Sequence, residues 1–199
     1  MMKKIKLTKT QLKKEKDNLK RYNRYLPTLY VKKQQLQKEI ERVAMELLRV
    51  DKTFNQIVDE IAPWIGLLGE EVGLSELISL KEIETKEGNI AGVDIPLFVK
   101  THIDSKAYDL FHYPLWVDRA LDVLKTLISL RAERKVLDYQ KLCLSQELRI
   151  TSQRVNLFEQ VKIPETKEAI KRISIYLGDQ EAAAVGWARM AKKKLQKAG

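Results

Sequence analysis

With one cysteine in 199 residues, Cys143, the sequence has no disulfide framework and no cysteine-based zinc site. A reducing, intracellular setting is the simple implication. Glycine and proline are also scarce, at 8 and 5 residues, and aromatics make up 7%. Compact enzymes use more glycine in active-site turns, and a chain that is 32% charged with so few breakers favours long helices. No apolar run approaches the roughly 20 residues that span a bilayer. The basic start, MMKKIKLTKTQLKKEKD, has no apolar stretch behind it and so does not read as a signal peptide.

Catalytic motifs are missing too. There is neither a phosphate-cradling G-x-x-x-x-G-K-[ST] loop nor a G-x-G-x-x-G turn after a strand. The stretch GLLGEEVG has glycines but no lysine to follow them. His102 and His112 fall in a loop-like region with no carboxylate at metal-ligand spacing, which reads as ordinary surface histidine. Cys143 adjoins an apolar seam and reads as packing. Trp187 and Met190 read as seam or partner-facing residues. The expectation is a non-catalytic chain with no catalytic residue, cofactor or metal.

What the sequence does have is charge, unevenly placed. Residues 1–62 carry a net +8, 63–115 a net −5 and 116–199 a net +7, within a total of +10. Basic arms suit nucleic acid, anionic lipid or an acidic protein partner, and charge alone does not choose among them. A basic coiled-coil scaffold or nucleic-acid-binding protein is therefore the competing reading. Against it, Tyr22 and Tyr25 are the only aromatics among the N-terminal basic residues, too few for a stacking platform. A membrane-binding helical dimer is a third reading.

The first arm carries a sustained heptad. Leu12, Leu19, Leu26, Lys33, Ile40, Leu47, Phe54 and Ile61 recur every seven residues. The interleaved set is Glu15, Tyr22, Leu29, Leu36, Val43, Val50 and Ile57. Apolar 3-4 spacing kept this long is a coiled-coil pattern. A helix from about Thr8 to Ala62 would be on the order of 80 Å long. Pro27 falls off the seam, so a kink there keeps the register, and Pro63 is a plausible stop.

The middle changes character. Pro63, Gly66, Gly69 and Gly73 crowd together, and then Ile83 and Thr85 alternate with charges. Glu87, Gly88 and Asn89 read as a turn, and Val93, Ile95 and Leu97 alternate beyond it, a β-hairpin pattern with Pro96 marking an edge strand. A second arm starts near Leu115 or Trp116. Trp116, Ala120, Val123, Leu124, Leu127, Leu130, Leu137, Leu144, Leu148, Val155 and Phe158 share one face. After Pro164 the set becomes Ile163, Ile170, Ile173, Leu177, Ala184 and Ala191, with Trp187 nearby. The two sets are out of phase by about one residue, which predicts a kink or locally widened turn near Gln160–Pro164. An amphipathic arm does not bury its stripe alone. The expected fold is therefore mostly α, with two long antiparallel helices forming a coiled coil and a small central β-hairpin and short-helix region. The segments are 1–62, 63–115 and 116–199, within one elongated folding unit.

Two stretches carry a resemblance. NIAGVDIP, Asn89 to Pro96, resembles the N-[IV]-x-G-V-x-[IV]-P element of the D subunits of V-type and archaeal A-type ATPases. QRVNLFEQVKIP, Gln153 to Pro164, is similar to that family's R-R-V-N-A-L-E-x-x-x-I-P element. Asn89, Gly92, Val93 and Pro96 fit the first; Arg154, Val155, Asn156, Leu157, Glu159, Ile163 and Pro164 fit the second. The TKTQLKKEKDNL stretch shares the family's T-K-x-x-L opening. Gln153 replaces an arginine, and the chain departs where Tyr25, Leu26 and Pro27 stand, since family members tend to have an R-G pair and a lysine-rich run there. The resemblance implies a central stalk, or rotor shaft, that transmits torque between ion translocation and ATP chemistry without binding nucleotide. The implied partners are the F subunit, a hexamer of catalytic and non-catalytic subunits and a funnel-shaped subunit above the membrane ring. One copy is expected in the complex, cytoplasmic and peripheral to the membrane, without nucleic acid or membrane insertion. On this reading Lys192, Lys193 and Lys194 are candidate contacts to acidic loops of the ring.

Overall fold

The computed structural model describes residues 6–70, 73–109 and 112–198. The elements run α1 (Lys9–Ile61), a 3-10 turn (Ile65–Gly69), α2 (Leu74–Leu77), β1 (Ile78–Ile90), β2 (Val93–Ser105), α3 (Trp116–Asn156), a π-helical turn (Leu157–Lys162) and α4 (Ile163–Ala198). The chain is mostly helical, with a long helix at each end and a two-stranded antiparallel sheet between them.

The start and end of α1 follow from local chemistry. The Thr8 hydroxyl accepts the Gln11 N–H at 3.2 Å, which caps the helix. At the other end, the helix closes at Ile61, two residues before Pro63, and the Trp64 N–H turns back to the Ile61 carbonyl. Pro27 lies inside α1, exposed and off the apolar seam. None of the seam positions from Leu12 to Ile61 is exposed, including Lys33 and Glu15. In the second arm, every seam residue from Trp116 to Phe158 is likewise buried or half-buried.

Two units are distinguishable: Gln34–Arg149, and Met1–Lys33 with Ile150–Gly199. In the central unit, Leu36, Val43, Leu47 and Val50 of α1 form one core with Leu137 and Leu144 of α3, and Ile90, Ala91 and Val93 of the hairpin pack against it. Leu36 and Leu144 are fully buried. Arg134 reaches Asp51 at 3.0 Å along the margin. At the base of the hairpin, Leu77, Val117 and Leu121 form a second cluster, covered by Leu74, Ile78, Tyr108, Tyr113 and Trp116. In the terminal unit, Lys9 pairs with Glu181 and Tyr22 meets Phe158, so the two helices run antiparallel there.

Three expectations need correction. The hairpin turn is not Glu87–Gly88–Asn89, which lie within β1; it is the two-residue turn Ala91–Gly92, flanked by the pair Ile90 and Val93. Both turn residues have positive φ, 53° and 76°, a backbone twist that matches the right-handed twist of the flanking strands. His102 stands in β2 rather than in a loop, because the hairpin extends to Ser105. Finally, Ala184, Trp187 and Ala191 are exposed and do not continue a buried seam. The reason is length: Lys9, the first helical residue of α1, already lies opposite Glu181.

Candidate interaction surfaces

The hairpin residues singled out by sequence come together as a turn and its dock. The Asn89 side chain accepts the Gly92 N–H at 3.1 Å and donates to Asp94 Oδ1 at 2.6 Å, so one residue shapes both sides of the turn. Gly92 occupies the left-handed region, where a Cβ would be strained. Val93 packs on the helix core. Pro96, facing Glu87 in the ladder, offers its carbonyl to the Gln140 amide of α3 at 2.7 Å. These four residues thus fold the hairpin onto the helices. Gly88 has a related constraint: a Cβ there would stand 2.7 Å from Leu97 Cδ1.

Away from the turn, the ladder changes register twice, between Leu80 and Glu82 and between Glu84 and Thr85. Lys81 is the extra residue on β1 and Val99 the extra residue on β2. Between these bulges Glu84 meets His102 at 2.9 Å and Lys100 at 3.5 Å. The hydrogen bond from His102 lowers the Glu84 carboxyl below its ordinary value; burial opposes it, and the charge and hydrogen bond of Lys100 add to the lowering. Below the hairpin the Tyr108 hydroxyl donates to Asp118 in the first turn of α3. That bond, then burial, then the charges of Asp118 and Asp122 push the phenol up to about 12. Leu80, Val99 and Leu115 are exposed in this unit, Leu115 almost completely at 95%.

The second motif places its residues around the π-helical turn. Arg154 and Asn156 are exposed at the end of α3, and Val155 between them is buried. The Ile163 N–H reaches back five residues to the Phe158 carbonyl, which defines the widened turn. The sequence pattern places the widening near Gln160–Pro164, and in the structure it begins at Leu157. Glu159 accepts the Tyr30 hydroxyl at 2.6 Å and Phe158 lies 5.3 Å from Tyr22, so the turn is tied to α1. The bond to Glu159, then burial, then the carboxylate charge raise the Tyr30 phenol above its ordinary value. Pro164 is exposed as the second residue of α4, and the Thr166 hydroxyl donates to the Lys162 carbonyl at 2.7 Å, satisfying the exit of the turn.

From Gly178 to Gln196 every residue of α4 is exposed. Lys192, Lys193 and Lys194 belong to this stretch, together with Val185, Trp187, Met190 and Leu195. The stretch combines exposed apolar side chains with a lysine run.

Among the described residues there is no group of three or more His, Cys, Asp or Glu side chains able to hold a metal ion. A depression lined by Val50, Asp51, Phe54, Leu130, Arg131 and Arg134 holds about 40 Å³, room for only a few waters. No helix among the described residues is long and apolar enough to cross a membrane. Sequence reasoning does not find Tyr30, Gln140 or the Glu84–His102 pair. Glu84 and His102 are 18 residues apart, and only the ladder brings them together.

A mostly helical chain whose central unit packs α1 against α3 with the hairpin docked on them defines the class of the protein. The family model for the ATP synthase D subunit matches residues 11–193, and the chain belongs to that family. It is 45% identical to the V-type ATP synthase D subunit of Borreliella burgdorferi over 98% of this chain and 97% of that one. Against the V-type ATP synthase D subunit of Chlamydia pneumoniae the identity is 33%, over 96% and 93%. Against that of Chlamydia trachomatis it is 34%, over 98% of each.

Proposed function

We propose that this chain is the central stalk, the rotor shaft, of a V-type ATP synthase or ATPase, and that it transmits torque between membrane ion translocation and ATP synthesis or hydrolysis. The observation that carries the reading is the end-to-end match to V-type ATP synthase D subunits, 98% of this chain against 97% of the Borreliella burgdorferi protein. A shaft needs lateral stiffness, and in the central unit the leucine and valine seam of α1 and α3 supplies it. The chain is non-catalytic in this role and holds no nucleotide.

Its partners on this reading are the F subunit, the hexamer of catalytic and non-catalytic subunits and the funnel-shaped subunit above the membrane ring. One copy serves each complex, at the cytoplasmic face and peripheral to the membrane. Lys192, Lys193 and Lys194 meet acidic loops of the hexamer. The hairpin residues Asn89, Gly92, Val93 and Pro96 hold the central fold in shape for its partners, while Arg154, Val155, Asn156, Glu159 and Pro164 set the geometry of the second arm.

Reconstitution tests this directly. The chain is expected to copurify with the F subunit of the V-type complex, and adding it to the hexameric head is expected to change ATPase turnover. Purification without either partner, together with ATPase activity indifferent to the chain, would remove the proposal. Reversal of the three lysines to glutamate tests the contact: unchanged assembly and coupling would remove that assignment alone.

A further inference from the structure

Pro27 and the widened turn lie at one level of the terminal unit. Two contacts fix that level. Tyr22 sets its ring 5.3 Å from Phe158, and Tyr30 donates to Glu159 at 2.6 Å. Tyr22 and Tyr30 stand on either side of Pro27, and their partners are consecutive residues of the π-helical turn. Each of the paired helices therefore carries an interruption, and the two interruptions face each other.

Each one opens the backbone ladder. Pro27 has no N–H for the Asn23 carbonyl, and Pro164 has none for Gln160. Within the turn, the bond from Ile163 to Phe158 replaces the ordinary four-residue span. Helices bend at prolines and at π-helical turns because the ladder is open there. A break in one helix is normally braced by an intact neighbour. Here both helices are interrupted at this level, and Tyr22–Phe158 and Tyr30–Glu159 join the two interruptions. Glu159 is exposed, whereas Tyr22, Tyr30 and Phe158 are half-buried. Val155 and Ile163, just before and after the widened stretch, are buried.

We propose that Pro27 and the turn Leu157–Lys162 form a single compliant joint in the helix pair, latched by Tyr22–Phe158 and Tyr30–Glu159. Bending and twisting of the terminal helix pair concentrate there. On the shaft reading, which this consequence alone rests on, the joint is where twist is absorbed. The joint itself is a property of the folded chain.

Hydrogen–deuterium exchange on the full-length chain tests it without any other subunit. Amides of residues 24–31 and 158–164 are expected to exchange at least about tenfold faster than those of the flanking stretches 12–20, 36–44, 143–151 and 168–176. Protection at the joint equal to that of the flanks overturns the proposal. Pro27→Ala restores the missing N–H on α1 only. In a paired joint it slows exchange across 158–164 on the other helix as well, by about threefold or more. Exchange there that is unchanged or faster overturns the pairing. A chain with a confirmed joint that fails to associate with the ATPase head would sink the shaft reading and leave the joint standing.

Discussion

Gln140 of α3 donates a 2.7 Å hydrogen bond to the carbonyl of Pro96 in β2. Gln140 is buried, and the bond joins residues 44 positions apart. Replacing it by leucine keeps the bulk but leaves the Pro96 carbonyl without this donor. The expected cost is about 1–3 kcal/mol, read as a lower urea midpoint at unchanged slope. A variant as stable as the parent would show that water replaces the amide.

Leu144 is fully buried against the α1 seam, while Leu142 two residues earlier is 61% exposed. Leu144→Ala is expected to cost about 2–5 kcal/mol, and Leu142→Ala to stay within about 0.5 kcal/mol. Thermal unfolding of the two variants separates them. Equal melting temperatures would contradict the burial pattern of α3.

The hairpin turn depends on Asn89 and Gly92. Gly92→Ala places a side chain at φ 76° and is expected to cost about 1–2 kcal/mol. Asn89→Ala removes both side-chain bonds that shape the turn and loosens it at similar scale, about 1 kcal/mol. Both losses appear in denaturant titrations. If Gly92→Asn, a residue tolerant of this region, costs as much as Gly92→Ala, backbone strain is not the cause.

Tyr108 predicts an alkaline pH dependence. Its bond to Asp118, with burial and the neighbouring carboxylates, raises the phenol from its ordinary 10.0 to about 12. The folded protein thus favours the neutral phenol. The resulting stabilisation is complete below about pH 10 and is lost as pH rises from there towards about 12. Tyr108→Phe lacks this dependence, so the gap between wild type and variant is expected to shrink over that window. A constant gap in melting temperature from pH 9 to 12 would contradict the assignment.

Much of the fold is legible in the sequence because helices write their partners into it at a fixed period. Spacing alone names Leu36, Val43, Val50, Leu137 and Leu144, and all are buried. Thr8 and Pro63 bound α1 to within about two residues of its ends, as capping and proline chemistry require. The hairpin is recognisable, but its turn is not where the residue types suggest. Gly88–Asn89 looks like a turn pair, yet Asn89 works from inside the strand by binding the Gly92 N–H. The sites that sequence does not reveal are those made by pairing at long separation, such as Tyr30 with Glu159 and Gln140 with Pro96. Periodicity shows which face is buried, not which polar side chains meet across it. The exposure of Trp187 is hidden for another reason: the stripe continues almost to the last residues, and only the starting point of α1 shows where its partner stops.

The two bulges in the hairpin, at Lys81 and Val99, sit on opposite strands and offset one another, so the register that starts at Ile90 and Val93 returns between Leu80 and Ile103. This has a consequence for lineage as well as for mechanics. Neither residue has a partner across the ladder, so losing either one by deletion would remove its bulge, keep the pairs on both sides and straighten that strand locally. Losing both would straighten the ribbon at both levels. A single-residue gap at Lys81 or at Val99 is therefore the length change this hairpin is expected to tolerate, whereas loss of a paired residue such as Ile83 would put the ladder beyond it one position out.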